Sequence, residues 1–199
     1  MRRFILVFFD DILIHSRTCE HLQHLERVLH ILEEQQFYAK MSKCEFGLTE
    51  MLYLGHIIGA NGVKVHEEKI WAIRDWPNSR DVTVLRGLLG ICTYYQKFVK
   101  GFSQLAAPLT DLTIKGAFTW TEGTQATFDC LKEVMSCCPV LALPDFTQSF
   151  TLECDASGER IRAILSQGGH PIAFENRKVL PHELSYYIYD KEMLARERF

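Results

Sequence analysis

Phe8-Phe9-Asp10-Asp11-Ile12-Leu13-Ile14-His15-Ser16 sets two adjacent aspartates between two apolar, β-prone runs, Phe4 to Phe9 and Ile12 to Ile14. Two short strands separated by so few polar residues predict a tight hairpin with the acidic pair at its tip. Two carboxylates held side by side repel each other unless a cation or water screens them. Hard oxygen ligands of this kind suit Mg²⁺ or Mn²⁺. The competing reading is that acidic residues simply favour turns. Composition alone leaves both readings open.

Outward from the hairpin the hydrophobic period changes. Leu22, Leu25, Leu29 and Leu32 recur at helical spacing behind Thr18, a possible N-cap, so a core-packing amphipathic helix is expected. Phe37-Tyr38-Ala39, Tyr53 to Ile58 and Val63-Lys64-Val65 read as short strands, with Asn61-Gly62 a hairpin signal. Helices are expected from about His66 to Trp76, Val82 to Val99 and Gln125 to Ser136, with Gly101 and Pro108 punctuating the stretch between the last two. Pro139 to Phe146 reads as a linker. From Phe150 the pattern alternates again, with Ile161 to Gln167 and Pro171 to Glu175 joined through Gly168-Gly169. A helix is expected from Pro181 or His182 to the end of the chain.

Several of these segments carry a resemblance. Phe-Phe-Asp-Asp-Ile-Leu-Ile-His-Ser resembles the Tyr/Phe-x-Asp-Asp motif of reverse transcriptases, in the form carried by gypsy-type long-terminal-repeat retrotransposons. Ser42-Lys43-Cys44-Glu45-Phe46 and Tyr53-Leu54-Gly55-His56-Ile57-Ile58 resemble that family's palm end and primer grip. Leu85 to Gly90, Tyr94 to Phe98 and Phe102 to Leu109 resemble its thumb and connection, and Phe118 to Thr121 and Pro139 to Phe146 follow in the same order. Leu152-Glu153-Cys154-Asp155-Ala156-Ser157 resembles the first strand of a retroelement RNase H, and Tyr189 to Ala195 the helix bearing its next carboxylate.

The resemblance implies an α+β chain: a partial reverse-transcriptase palm and thumb followed by a truncated RNase H-like α/β domain. It implies residues 1–65 as the palm end with a primer-grip hairpin, 66–138 as thumb and connection helices, 139–149 as linker, and 150–199 as the start of RNase H. Asp10 and Asp11 would hold polymerase metal, and Asp155 and Glu192 RNase H metal, as Mg²⁺ or Mn²⁺. Gly55, His56, Tyr95 and Lys97 would touch nucleic acid. The same aromatic and basic mixture around Tyr94, Tyr95, Lys97, Phe98 and Lys100 also describes a helix with a buried aromatic face. Asp155 also reads as an ordinary strand terminus and Glu192 as a solvated helix position, with Glu153 and Asp190 nearby. Implied partners are an RNA or DNA primer-template, an RNA–DNA hybrid and the remainder of a Pol polyprotein. The family's upstream polymerase aspartate and downstream RNase H aspartates have no counterpart in these residues. The expectation is therefore an internal piece, inactive by itself, of an enzyme that copies templates and cuts RNA in hybrids. The rival expectation is a decayed or recruited remnant that binds nucleic acid or protein without catalysis.

One departure stands out. Such RNase H segments commonly read Asp-Ala-Ser-x-x-Gly-Ile-Gly-Ala, whereas this chain has Arg160 and Arg162 at both glycine positions. Strain at the turn from Arg160 and a nucleic-acid path crowded by Arg162, hence an impaired RNase H half, are the expected consequences. The opposing reading is that two cations beside Asp155 improve phosphate contact and Gly158 supplies the flexibility instead.

Composition bounds the rest. The 199 residues carry 22 Lys and Arg against 25 Asp and Glu, a formal charge of −3, so charge alone does not hold a nucleic acid. No apolar run approaches the ~18 residues that cross a bilayer, so no membrane association is expected. Met1-Arg2-Arg3 and the apolar run behind it imitate a signal peptide, but aspartates interrupt the run after six residues. Seven scattered cysteines without a C-x-x-C pair point to a reducing intracellular compartment, cytoplasmic or nuclear. Cys19, His21 and His24 can be drawn as a ligand set, but surface histidines are the expectation.

Overall fold

The computed structural model describes residues 4–16, 19–78, 81–156 and 160–196. Thr18, the expected N-cap, lies outside these, as do residues 157–159, with Ser157 and Gly158 of the expected turn. The chain divides into two units, Met1–Ala60 and Asn61–Phe199.

The first unit begins with antiparallel strands β1 (Ile5–Phe8) and β2 (Asp11–Ile14), followed by helix α1 (His21–Glu34). Only half of the leucine stripe of α1 lies on its packed face, where Leu25 and Leu32 are half-buried. Val28 is buried, while Leu22 and Leu29 face solvent. His24 stacks on Phe4 at 3.9 Å and accepts or donates a 2.6 Å hydrogen bond with Ser16, which His21 also approaches at 3.3 Å. These histidines are therefore half-buried packing groups, not surface ones. Phe37-Tyr38-Ala39 is exposed coil, because no strand partner meets it. The expected strand Tyr53 to Ile58 is instead the middle of a hairpin, β3 (Glu50–Tyr53) and β4 (His56–Gly59).

The second unit opens with β5 (Gly62–Val65), then α2 (Glu67–Arg74) and α3 (Val82–Tyr94). The Asp81 side chain caps α3 by accepting the Thr83 N–H at 2.8 Å. A 3-10 turn (Gln96–Phe98) leads to α4 (Phe102–Asp111), which the sequence pattern missed because Pro108 reads as a breaker. Proline removes one N–H and crowds the preceding turn. Burial of Phe102, Ala106 and Leu109 offsets that loss, so the helix runs through. Helix α5 (Glu122–Ser136) is capped by the Thr121 hydroxyl, which accepts the Thr124 N–H at 3.2 Å. Ile73, Leu85, Leu88, Cys92, Leu109, Phe128, Leu131 and Met135 form the sealed centre of this helical layer.

An antiparallel sheet follows, β6 (Thr151–Ala156), β7 (Arg160–Gln167) and β8 (His170–Lys178), with Gly168 and Gly169 as the β7–β8 turn. Helix α6 (Ile188–Arg196) covers one face, where Leu194 packs with Leu152, Cys154, Ala156, Ile161 and Ala163. On the opposite face Ile164 and Phe174 join the helical core. There the buried Asn176 donates to Val99 O at 3.1 Å and accepts the Gly101 N–H at 2.9 Å. The expected helix from Pro181 is split. Pro181–Glu183 is a 3-10 turn and α6 starts only at Ile188, because the Glu183 carboxylate is tied back to Arg177 of β8 and to the Leu180 N–H at 2.8 Å.

Residues 139–146 are strapped to the fold on both sides. Leu141 is buried and exchanges two 2.8 Å backbone hydrogen bonds with Val63, and the Asp145 N–H donates to Gln167 Oε1 at 2.8 Å. Gly62 stands beside that bridge at φ +127°, where a Cβ would fall 2.1 Å from the Leu141 carbonyl oxygen. Gly62→Ala is therefore expected to destabilise by more than about 1 kcal/mol, through both backbone strain and the collision. A denaturant melt of unchanged midpoint would contradict it. Glu183, 5% exposed, is held down to about 2 from 4.5 by its hydrogen bonds to Arg177 and the Leu180 N–H. A lowered carboxyl pKa stabilises the fold fully above 4.5 and ceases to do so as pH falls toward 2. Glu183→Gln is thus expected to lower Tm at pH 7, with the gap to wild type closing across that window. A gap independent of pH would refute the pairing.

Candidate functional site

The β1–β2 register pairs Phe8 with Asp11, so the two-residue turn is Phe9–Asp10 and Asp11 is already the first residue of β2. The acidic pair is therefore not the tip itself. One carboxylate comes from the turn and the other from the strand beside it. Phe9 takes φ +50°, a conformation that suits the twist of a two-residue hairpin but costs a bulky residue about 1–3 kcal/mol. Its ring is 89% exposed and meets Phe8 edge-on at 4.9 Å, so core burial does not pull it there. Asp10 and Asp11 are both exposed.

Tyr53, at the end of β3, has its hydroxyl pKa raised by burial and then by the negative charge of Asp11. Leu54 and Gly55 form the β3–β4 turn, at φ +49° and +74°. Positive φ at both central positions is the mark of the hairpin turn that glycine best tolerates. Gly55 thus has a backbone role in this turn. His56, opposite Tyr53 in the register, is half-buried and its pKa is lowered by that burial, so its imidazole is neutral at pH 7.

Tyr95 and Lys97 separate. Tyr95 is 3% exposed, packs edge-on against Tyr94 at 4.8 Å and belongs to the helical core. It is not available to stack on a base, which corrects the expectation for this residue. Tyr94, Lys97 and Lys100 are the members of that segment facing solvent. Helical periodicity fixes their relative phase, but only the packed neighbours choose which phase is buried.

Asp155 and Glu192 are on elements of the same half. Asp155 leaves β6 on the face opposite to Leu152, Cys154 and Ala156, which is the face that α6 and hence Glu192 do not occupy. Its neighbour across the ladder is Arg162, with Nε 3.7 Å from Oδ2. That is an exposed ion pair, too long for a hydrogen bond. The Arg162 pairing was not legible from sequence, since strand register is set by pairing and packing across the sheet rather than by the local pattern. Among the described residues no group of three or more His, Cys, Asp or Glu side chains converges as a metal cage. Asp10 and Asp11 fit a divalent cation in donor chemistry and in adjacency, and an ion bound there would keep most of its water. Asp155, with a guanidinium beside it, does not present a comparable site.

Two family models match the chain. That of the reverse transcriptase (RNA-dependent DNA polymerase) covers residues 1–58, and that of the RNase H-like domain found in reverse transcriptase covers residues 120–197. The retrovirus-related Pol polyprotein from transposon 297 of Drosophila melanogaster is 36% identical over 198 residues, across 98% of this chain and 19% of that protein. An uncharacterized mitochondrial protein of Arabidopsis thaliana is 43% identical over 131 residues, across 65% of this chain and 83% of that protein. The transposon Tf2-3 polyprotein of Schizosaccharomyces pombe is 32% identical over 198 residues, across 96% of this chain and 15% of that protein. The chain thus spans about a fifth or less of the Pol polyproteins it matches. In fold it is similar to the foamy viral protease-reverse transcriptase solved with an RNA/DNA hybrid, at TM-score 0.82 and 24% identity, over 98% of this chain and 27% of that one.

The acidic hairpin makes a direct prediction. Mn²⁺ added to the protein should broaden the NMR amide signals of Phe8, Asp10 and Asp11 at millimolar rather than micromolar concentration, since two carboxylates leave the ion largely hydrated. Asp10→Asn/Asp11→Asn should abolish the effect. Unchanged broadening in that variant would place the ion elsewhere.

Proposed function

This chain belongs to the reverse transcriptase and RNase H family of retrotransposon Pol polyproteins, and from that premise we propose that it serves template copying by a gypsy-type element. The observation that carries the reading is the β1–β2 hairpin, whose turn and first β2 residue present Asp10 and Asp11 together within the stretch matched by the reverse transcriptase model. Families of this kind depend on divalent metal. Bound Mg²⁺ or Mn²⁺ would supply charge stabilisation to phosphoryl transfer. The protein's own part is to hold two carboxylates at one hairpin end, on a backbone locked by four ladder pairs from Ile5–Ile14 to Phe8–Asp11. An RNA or DNA primer-template is the proposed ligand of this half, and an RNA–DNA hybrid that of the half containing Asp155 and Glu192. The remainder of a Pol polyprotein is the proposed partner, and a reducing intracellular compartment the proposed setting.

Gly55 and His56 enter as the rigid turn and neutral donor of a primer-side contact, and Lys97 as a phosphate contact. Arg162 beside Asp155 favours a second reading for the RNase H-like half, in which it binds a hybrid without cutting it. A cation 3.7 Å from the carboxylate competes with any metal ion for it.

One experiment separates these readings. Fluorescence anisotropy with a labelled RNA–DNA primer-template should show binding by the chain, strengthened by Mg²⁺, and the Mg²⁺ increment should vanish in Asp10→Asn/Asp11→Asn. Absence of any binding would refute the nucleic-acid reading. Mg²⁺-dependent cleavage of the RNA strand by the unaltered chain would refute the non-cutting reading of the second half.

A further inference from the structure

The base of the first hairpin, at the end of the ladder away from Asp10 and Asp11, gathers one hydroxyl and two imidazoles. The His15 N–H donates to Phe4 O at 2.9 Å, one step beyond the Ile5–Ile14 pair, so the paired backbone runs up to Ser16. Ser16 Oγ then stands 2.6 Å from His24 Nδ1 and 3.3 Å from His21 Nδ1. His21 and His24 are three residues apart at the start of α1, a spacing that puts two side chains on one helix face. The His24 ring lies flat on Phe4, with centroids 3.9 Å apart and planes 3° from parallel, and Phe4 is buried. That stack holds one imidazole in place before any ligand arrives.

The chemistry of the cluster is under-determined by its own hydrogen bonds. A serine hydroxyl has one proton, so it satisfies one imidazole lone pair and no more. The second Nδ1 must then turn a ring N–H toward the same oxygen. Whichever tautomers are present, both Nδ1 atoms face one point on the protein. A cation with affinity for neutral imidazole suits that point. Both ring protons then reside on Nε2, both Nδ1 lone pairs go to the ion, and the hydroxyl keeps its proton and offers a lone pair.

The donor set selects the ion. No carboxylate joins the two imidazoles, and Cys19, exposed two residues before His21, does not complete a three-ligand group with them. Mg²⁺ and Mn²⁺ favour charged oxygen ligands, as at Asp10 and Asp11, whereas Zn²⁺, Ni²⁺ and Cu²⁺ bind imidazole. Ser16, His21 and His24 are half-buried, which leaves a solvent side for the waters that fill the remaining positions.

We propose that His21 and His24, with Ser16, bind a divalent transition-metal ion of the Zn²⁺ class, which clips the end of β2 to the start of α1. The site is separate from the acidic hairpin tip in position and in ligand chemistry, and it stands independently of the nucleic-acid reading.

The test is a Zn²⁺ titration of the full chain, read by long-range ¹H–¹⁵N spectra of the histidine rings. Excess Zn²⁺ should move the Nδ1 resonances of His21 and His24 together, with Nε2 remaining protonated in both. Mg²⁺ should move neither. His21→Gln should weaken Zn²⁺ binding at His24 by about tenfold or more. His170→Gln/His182→Gln, which removes two exposed histidines of the second unit, should leave the His24 midpoint unchanged. Nδ1 resonances that Zn²⁺ leaves in place, or a change confined to Nε2, overturn the site and reduce the cluster to a packing contact. A His24 midpoint unaffected by His21→Gln overturns the pairing of the two imidazoles. Equal response to Mg²⁺ overturns the assignment of ion class. The wild-type spectra decide the matter by themselves if His21→Gln does not fold.

Discussion

Asn176 joins the β6–β8 sheet to the helical layer through two hydrogen bonds beside an apolar seam. Its amide sits 7% exposed and bonds Val99 O and Gly101 N, the backbone groups on either side of the bend between the 3-10 turn and α4. A bend in the chain leaves such groups without helical partners, and burying them unpaired would cost about 1–3 kcal/mol each. One side chain of β8 meets both, and in doing so sets where α4 begins and how the sheet faces the helices. Ile164 and Phe174 pack beside it on the same face, so the polar clamp and the apolar seam agree in register. Lys100 lies on the bend between those two bonded groups.

Charge is handled in two ways in the second unit. Arg177 and Glu183 are nearly sealed, bidentate and closed by the Leu180 N–H, so the pair acts as a structural joint between β8 and the approach to α6. Arg162 and Asp155 are exposed and loosely matched, so the pair has little structural weight and each partner remains able to meet something else. The same two residue types thus serve a joint in one place and an available surface in another, and burial makes the difference. The first unit has no counterpart to the sealed joint among its described acidic turn residues. Its constraint is backbone geometry, with Phe9, Leu54 and Gly55 at positive φ in two short turns.

Local sequence determined a good deal. The alternation of β6, the two-glycine turn after β7, the capped starts of α3 and α5 and the hairpin around the acidic pair all follow from short-range sterics and hydrophobic period, which a linear chain displays. The ordered set of motifs also points to the family. Tertiary structure decided what period alone leaves open. It put Tyr95 inside and Tyr94 outside, because packing against the helical core selects one phase of the helix. It carried α4 through Pro108, because buried Phe102, Ala106 and Leu109 outweigh one missing hydrogen bond. It placed Asp10 in the turn and Asp11 on the strand, and it set Arg162 opposite Asp155, because register depends on turn geometry and on partners far away in sequence. Those long-range choices are the ones that place the charges, and so they decide which residues form a surface for a ligand.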